Sequence, residues 1–324
     1  MREAAFPSPR NPDRPGVRDN RRVRVFVTGG GRGFIGGHVV RALAAAGHDV
    51  ASEFVDVRDS GGLTRAFRGA DAVCHVAALY SFSAPAAEIE AVNVAGTANV
   101  VAACRAAGVR RLVHTSSCAT CGPVPGRPAT EEDEPPEWEL VVPYKRTKVE
   151  AERLVLAAAA DGLDALCVNP TTPVGEGDTA PTPTGAMVRG VASGRFRASL
   201  RGAGLNLVDV RDVALGHVLA LEHGRAGERY LLGGRDVTLA EAFALIARAA
   251  GRRPPRLQLP YGAAVLLARL GVANPHEVRL ARIPAWFSSA KAECELGYRA
   301  SPVEPALERA VAELRGSMAA ASRS

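Results

Sequence analysis

The chain has 324 residues, 47% apolar and 23% charged, a size for one large α/β unit with an appended lobe. No apolar run approaches the roughly 20 residues needed to cross a bilayer, so no membrane span is expected. The net charge of +6 gathers at the start, with seven arginines against three acids in residues 1–24, and no basic patch interleaved with aromatics occurs later, so nucleic acid is not an expected partner.

Residues 1–20, rich in Pro, Arg and Asp and without periodicity, read as a disordered extension. The stretch after Arg21-Arg22 is strand-like and then glycine-rich, unlike an export signal, and a cytoplasmic location is expected. Val23–Val27 predicts a β-branched strand, Thr28–Gly36 a glycine loop, and 35–46 a helix. In that order, glycines let the backbone approach a pyrophosphate and aim helix-terminal N–H groups at it. The alternative is a plain turn in a glycine-rich chain.

Further strands are predicted at 72–76, 111–115, 165–168 and 205–210, with helices at 62–67, 92–107 and 144–159. This alternation argues for an α/β fold with a Rossmann-type, doubly wound parallel sheet. Beyond Pro170 the alternation loosens. A Pro/Thr/Gly loop covers 175–185, a helix runs from Thr238 to Gly251, and a Pro-rich connector spans 253–260. Helices are predicted next at 261–271, 289–296 and from 302 to about 314. The expected dinucleotide domain is therefore 21–170 plus about 205–233, and the smaller, interleaved substrate lobe is about 171–204 and 234–316.

Tyr144 and Lys148 are spaced to share one face of a helix, one turn apart. A phenol titrates near pH ~10 and moves protons poorly at neutral pH unless a positive charge stabilises its anion. Only Lys145, Lys148 and Lys291 are lysines among 40 basic residues, which suggests that a compact ammonium is wanted here. The bland alternative is a solvated helix surface. Ser117, at the end of a predicted strand, offers a hydroxyl to a substrate carbonyl or alcohol while Tyr144 moves the proton.

Asn93 reads either as a residue holding a neighbouring loop or as a helix cap, and His75 as a packed histidine. Cys118 and Cys121 form C-x-x-C with neither a second pair nor a nearby His, so no metal site is expected. The six scattered cysteines fit a reduced compartment.

Taken together, Thr28-Gly29…Gly33-Phe34-Ile35-Gly36, Asp71-Ala72…His75-Val76-Ala77-Ala78, Asn93–Thr97, Thr115-Ser116-Ser117 and Tyr144-x-x-x-Lys148 resemble the extended short-chain dehydrogenases, the group that includes NAD-dependent epimerase/dehydratases. Asn169–Gly175, Pro181–Gly185, Gly204–Asp212 and Phe287–Tyr298 resemble hopanoid-associated sugar epimerases and dihydroflavonol 4-reductases. The likeness runs from about Val23 to Glu313.

It implies NAD or NADP as cofactor and a small-molecule substrate carrying a secondary alcohol or carbonyl. Ser117, Tyr144 and Lys148 would be catalytic, with Lys148 lowering the tyrosine pKa and holding the nicotinamide ribose. Gly29, Gly30, Gly33, Phe34, Ile35 and Gly36 would meet the pyrophosphate side, and Asp56 and Val57 the adenine side. Ala77, Ala78, Asn93, Thr115, Asn169 and Pro170 would complete the cofactor cleft. Relatives that pair through the helix carrying Tyr144 imply a homodimer. Epimerase, dehydratase, carbonyl reductase and a non-catalytic dinucleotide sensor are not separated at this level.

Two departures stand out. The loop carries one residue more than the related pattern, so either the turn bulges or Gly30 takes the first position. Further on, only Ala51 and Ser52 separate the strand ending at Val50 from Glu53–Asp59, which resembles a further strand. Neighbouring parallel strands need a connection of a dozen or more residues. Either one strand, roughly 49–57, serves for two or the coding sequence has lost a piece, and the region that reads NAD against NADP is shortened.

Overall fold

The β-branched run β1 (Arg24–Thr28) alternates its side chains between two cores, with Val25 and Val27 on one face of a sheet and Phe26 on the other. The computed structural model describes residues 22–31 and 33–321; the extension expected at 1–20 lies outside them. After the glycine turn come α1 (Phe34–Ala45), β2 (Asp49–Ala51), α2 (Ser60–Ala66) and β3 (Ala72–His75). Next are α3 (Ala86–Glu90), a π-helical turn (Ala91–Ala95), α4 (Gly96–Ala107) and β4 (Arg111–Thr115). A single 3-10 turn (Cys118–Thr120), α5 (Glu137–Leu140), α6 (Pro143–Ala160) and β5 (Asp164–Pro170) complete the first half.

The second half holds β6 (Thr172–Val174), α7 (Pro183–Ala192), β7 (Ala198–Leu200), β8 (Gly204–Asp209), α8 (Val210–His223) and β9 (Arg229–Leu232). It ends with β10 (Arg235–Thr238), α9 (Leu239–Ala249), β11 (Leu257–Leu259), α10 (Tyr261–Arg269), α11 (Pro275–Leu280), α12 (Ala290–Leu296) and α13 (Glu304–Ala321).

Six strands in the order β2-β1-β3-β4-β5-β9, all parallel, form the main sheet. Helices α1 and α8 cover one face, where Leu43, Val213 and Val218 meet Val25 and Val113. Helices α2, α4 and α6 cover the other, where Leu63, Val100 and Val155 meet Phe26 and Leu112. Burial on both faces is what a parallel sheet requires.

The sheet ends at β2, whose three residues pair with Arg24–Phe26. No strand lies beyond it among the described residues, as the two-residue gap demanded, and 52–59 runs on irregularly, with a turn at 57–58, until Asp59 caps α2 by accepting from the Gly62 amide.

The segment 205–233 is divided. Strand β8 pairs with β10 and β6 in a three-stranded sheet of the lobe, whereas β9 completes the main sheet. The lobe core is built from α7, α9 and α13 around Leu207 and Val237. Arg309 of α13 binds Glu176 at 2.7 Å and Asp209 at 2.5 Å, locking the lobe to the loop after β6.

Candidate active site

The carboxyl ends of β1, β3, β4 and β5 converge beside the start of α1, the place where open parallel sheets take ligands. Gly29 has φ +71°, and its missing Cβ leaves room for the Ala77 backbone. A Cβ on Gly33 would lie 2.7 Å from the Gly29 carbonyl oxygen, and one on Gly36 would overlap the same oxygen. Gly29 thus keeps the first position and the turn at 29–31 absorbs the extra residue. Gly30 instead packs between Val40 and Ser52. A loop with glycine at 29, 30, 31 and 33, ending at the amino terminus of a 12-residue helix, fits a dinucleotide pyrophosphate.

Around this loop, Thr28 Oγ1 accepts from the amides of Val76 and Ala77 and so donates to His75 Nδ1 at 2.8 Å. His75 Nε2–H then donates to Thr97, whose hydroxyl donates to the Asn93 carbonyl. The chain is satisfied with a neutral imidazole, and burial lowers the His75 pKa to about 3. Phe34 lies edge-on to the His38 ring and lines a small, open pocket with Gly175, Asp178 and Glu313. Ile35 packs into the sheet core, and Ala78 is exposed at the rim. At the residues expected near the adenine, Arg58 holds Asp56 at 2.6 Å and pulls its pKa to about 2, while Val57 is buried against Gly96.

Helix α6 starts with Pro at its first position and presents Tyr144 and Lys148 one turn apart. Lys148 Nζ donates to the Thr115 carbonyl at 2.8 Å. Thr115 points its hydroxyl the other way, to His217 Nε2. Burial lowers the Lys148 pKa to about 8, and Glu152, one further turn along, opposes that shift. Ser117 caps the 3-10 turn by accepting from the Ala119 amide, and its hydroxyl lies beside the Tyr144 phenol. The phenol's pKa is raised: burial dominates and Ser117 opposes.

The Cys118 and Cys121 thiols are free and pushed up to about 11 and 12 by burial, so both are protonated packing groups.

Asn93 sits in the π-helical turn, a feature that often marks functional sites. Its amide brackets Leu79 through both backbone groups and donates to Thr147 Oγ1, between Tyr144 and Lys148. The loop it holds carries Tyr80 and Phe82. The Tyr80 ring lies 4.5 Å from that of Tyr144, and the Phe82 ring meets Tyr144 edge-on at 6.1 Å. Sequence alone singles out neither aromatic, although Tyr80–Phe82 comes directly after the Val76–Ala78 strand end.

Asn169 lies beneath the site rather than on its surface. It is fully buried and donates to the Ser117 carbonyl, Thr120 and Glu152. Glu152 in turn pairs with Arg229 at 2.9 Å. Pro170 comes next in β5, paired with Leu232.

The model of the NAD dependent epimerase/dehydratase family matches residues 25–233. A Synechocystis protein provisionally named dihydroflavonol 4-reductase is 34% identical, over 88% of this chain and 93% of its own. Sterol demethylase protein B of Methylococcus capsulatus is 32% identical, over 90% and 98%. The NAD complex of Thermus thermophilus UDP-glucose 4-epimerase superposes with a TM-score of 0.73 at 26% identity, over 90% of this chain and 99% of that one.

Proposed function

The chain belongs to the NAD dependent epimerase/dehydratase family, and on that footing we propose that this NAD(P)-dependent enzyme interconverts a secondary alcohol and a ketone on a largely apolar carbon skeleton. The observation that carries the reading is the Tyr144 phenol set between the Ser117 hydroxyl and the aromatic wall of Tyr80 and Phe82. An aromatic wall favours an apolar ring system over a hydroxylated sugar. The names of the two relatives, a dihydroflavonol reductase and a sterol protein, support the same class.

In this reading the Gly29–Gly36 loop holds the pyrophosphate, and Asp56 and Val57 border the adenine. Ser117 orients the substrate oxygen and Tyr144 gives or takes its proton. Lys148 anchors the ribose and keeps a cation in the site. A bound oxidised nicotinamide supplies a hydride acceptor and a second positive charge. Asn93 and Asn169 position the site from behind without touching substrate. We also propose a cytoplasmic location and a homodimer through α6, whose exposed Leu154 gives that contact an apolar point.

Fluorescence titration with NADH and NADPH, followed by ketone reduction assays on steroid and flavanonol substrates, tests the reading. Net cofactor oxidation with an apolar ketone is expected. Turnover confined to nucleotide sugars, without net cofactor consumption, would replace it with the epimerase reading that the Thermus thermophilus likeness offers.

A further inference from the structure

Half of the eight large apolar side chains exposed among the described residues fall within a short stretch of the lobe. Leu257 is 59% exposed, Leu266 57%, Leu270 67% and Val272 71%. Leu266 lies in α10 and Leu270, four residues on, is its C-cap. Ala264 is the one residue of that helix that is buried, and α10 packs chiefly on α11. Strand β11 leads straight into α10 and pairs with β7, so the segments 195–201 and 252–272 form one edge of the lobe.

This edge is also strongly basic. The two segments contain seven arginines and no acid. Arg195, Arg197 and Arg201 flank β7, Arg252, Arg253 and Arg256 precede β11, and Arg269 closes α10. Elsewhere arginines meet acids, as Arg211 meets Glu176 and Arg309 meets Asp209.

Helix α10 of this edge packs on α11, and Arg282, just past α11, lies over the Trp138 ring at 5.5 Å.

We propose that this edge docks on an anionic phospholipid surface, with Leu257, Leu266, Leu270 and Val272 entering the headgroup layer and the arginines meeting lipid phosphates. Exposed leucines gain from leaving water, and each arginine gains from the negative surface potential. A second copy of the chain would set two uniformly basic faces together and is disfavoured. A nucleic acid would satisfy the arginines but leave the leucines in water. The docking itself does not depend on turnover.

Co-sedimentation of the full chain with phosphatidylcholine vesicles, with and without phosphatidylglycerol, tests the proposal. Binding to the anionic vesicles alone, released by high salt, is expected. The triple variant Arg252→Glu, Arg253→Glu, Arg256→Glu should lose binding about a hundredfold or more. Leu266→Ser with Leu270→Ser and Val272→Ser should lose about tenfold or more. NADH titration and thermal melting confirm that both variants are folded, and the salt release of the unaltered protein stands without them. No binding to anionic vesicles overturns the proposal. So does heparin binding that the serine variant leaves unchanged, or a dimer that the serine variant dissolves without any vesicle binding.

Discussion

Asn93 Nδ2 donates to Thr147 Oγ1 at 3.2 Å, which ties the π-helical turn to the turn of α6 between Tyr144 and Lys148. The same amide satisfies both backbone groups of Leu79, so one side chain sets the distance between the aromatic loop and the proton-transfer helix. Asn93→Ala leaves the Leu79 groups without these partners and should cost roughly 2–4 kcal/mol of stability. Turnover should fall more than NADH affinity, because Tyr80 and Tyr144 lose their common brace. Urea unfolding and cofactor fluorescence measure both, and a stability loss below about 0.5 kcal/mol would refute the bracing role.

Tyr144 and Lys148 are expected to separate chemistry from stability. Tyr144→Phe removes the proton-transfer group and should lower turnover by about a hundredfold or more, with cofactor binding retained. Lys148 is different because burial holds its folded pKa near 8, below the ordinary 10.5, so its charge costs roughly 3 kcal/mol at neutral pH. The unfolded chain binds the proton more tightly, so this cost is in force below about pH 8 and fades as pH rises toward 10.5. Lys148→Met should therefore be no less stable than the unaltered protein near pH 7 while losing turnover. A marked drop in its urea midpoint would show that the Thr115 contact outweighs the burial cost.

Two glycine substitutions should have opposite signs. A methyl on Gly36 would overlap the Gly29 carbonyl, which is backbone and cannot rotate away. Gly36→Ala should weaken NADH binding about tenfold or more and lower the melting temperature. Gly262, in α10, has nothing within 4 Å of its added Cβ and a right-handed conformation, so Gly262→Ala should stabilise by about 0.5–1 kcal/mol. Equal melting of the two variants would contradict this reading of the loop.

The same contrast explains how far the chain is legible before it folds. Local patterns carry far: the glycines announce the turn before α1, the four-residue spacing puts Tyr144 and Lys148 on one face, and the two residues after Val50 forbid a further strand. Contacts between distant segments do not show. Tyr80 reaches Tyr144 across 64 positions of sequence, and no periodicity encodes that approach. Asn169 is legible as a residue near the site but not as one lying beneath it, because its partner Glu152 looks in sequence like any acid on a helix. Strand β8 shows the limit of alternation, since hydrophobic patterning says strand but not which sheet it joins.

The buried histidines make the protein acid-sensitive. His75 is held at about 3 and His217 at about 4 by burial, and His114, also lowered by burial, has no hydrogen-bond partner on either ring nitrogen. Each stays neutral in the folded state while the unfolded chain takes up a proton below about 6.5. Stability is therefore intact above that pH and lost as pH falls toward 4, by about 1.4 kcal/mol per unit for each histidine. His114→Leu removes one of these terms together with two unsatisfied nitrogens, at a site packed 5.1 Å from the His75 ring. It should be neutral or stabilising near pH 7 and should flatten the acid limb by about one histidine's share. Urea midpoints at about pH 7 and about pH 5 measure the slope. An unchanged slope in His114→Leu would mean that His114 is protonated in the folded protein, paired with a group that its ring nitrogens do not meet in this structure.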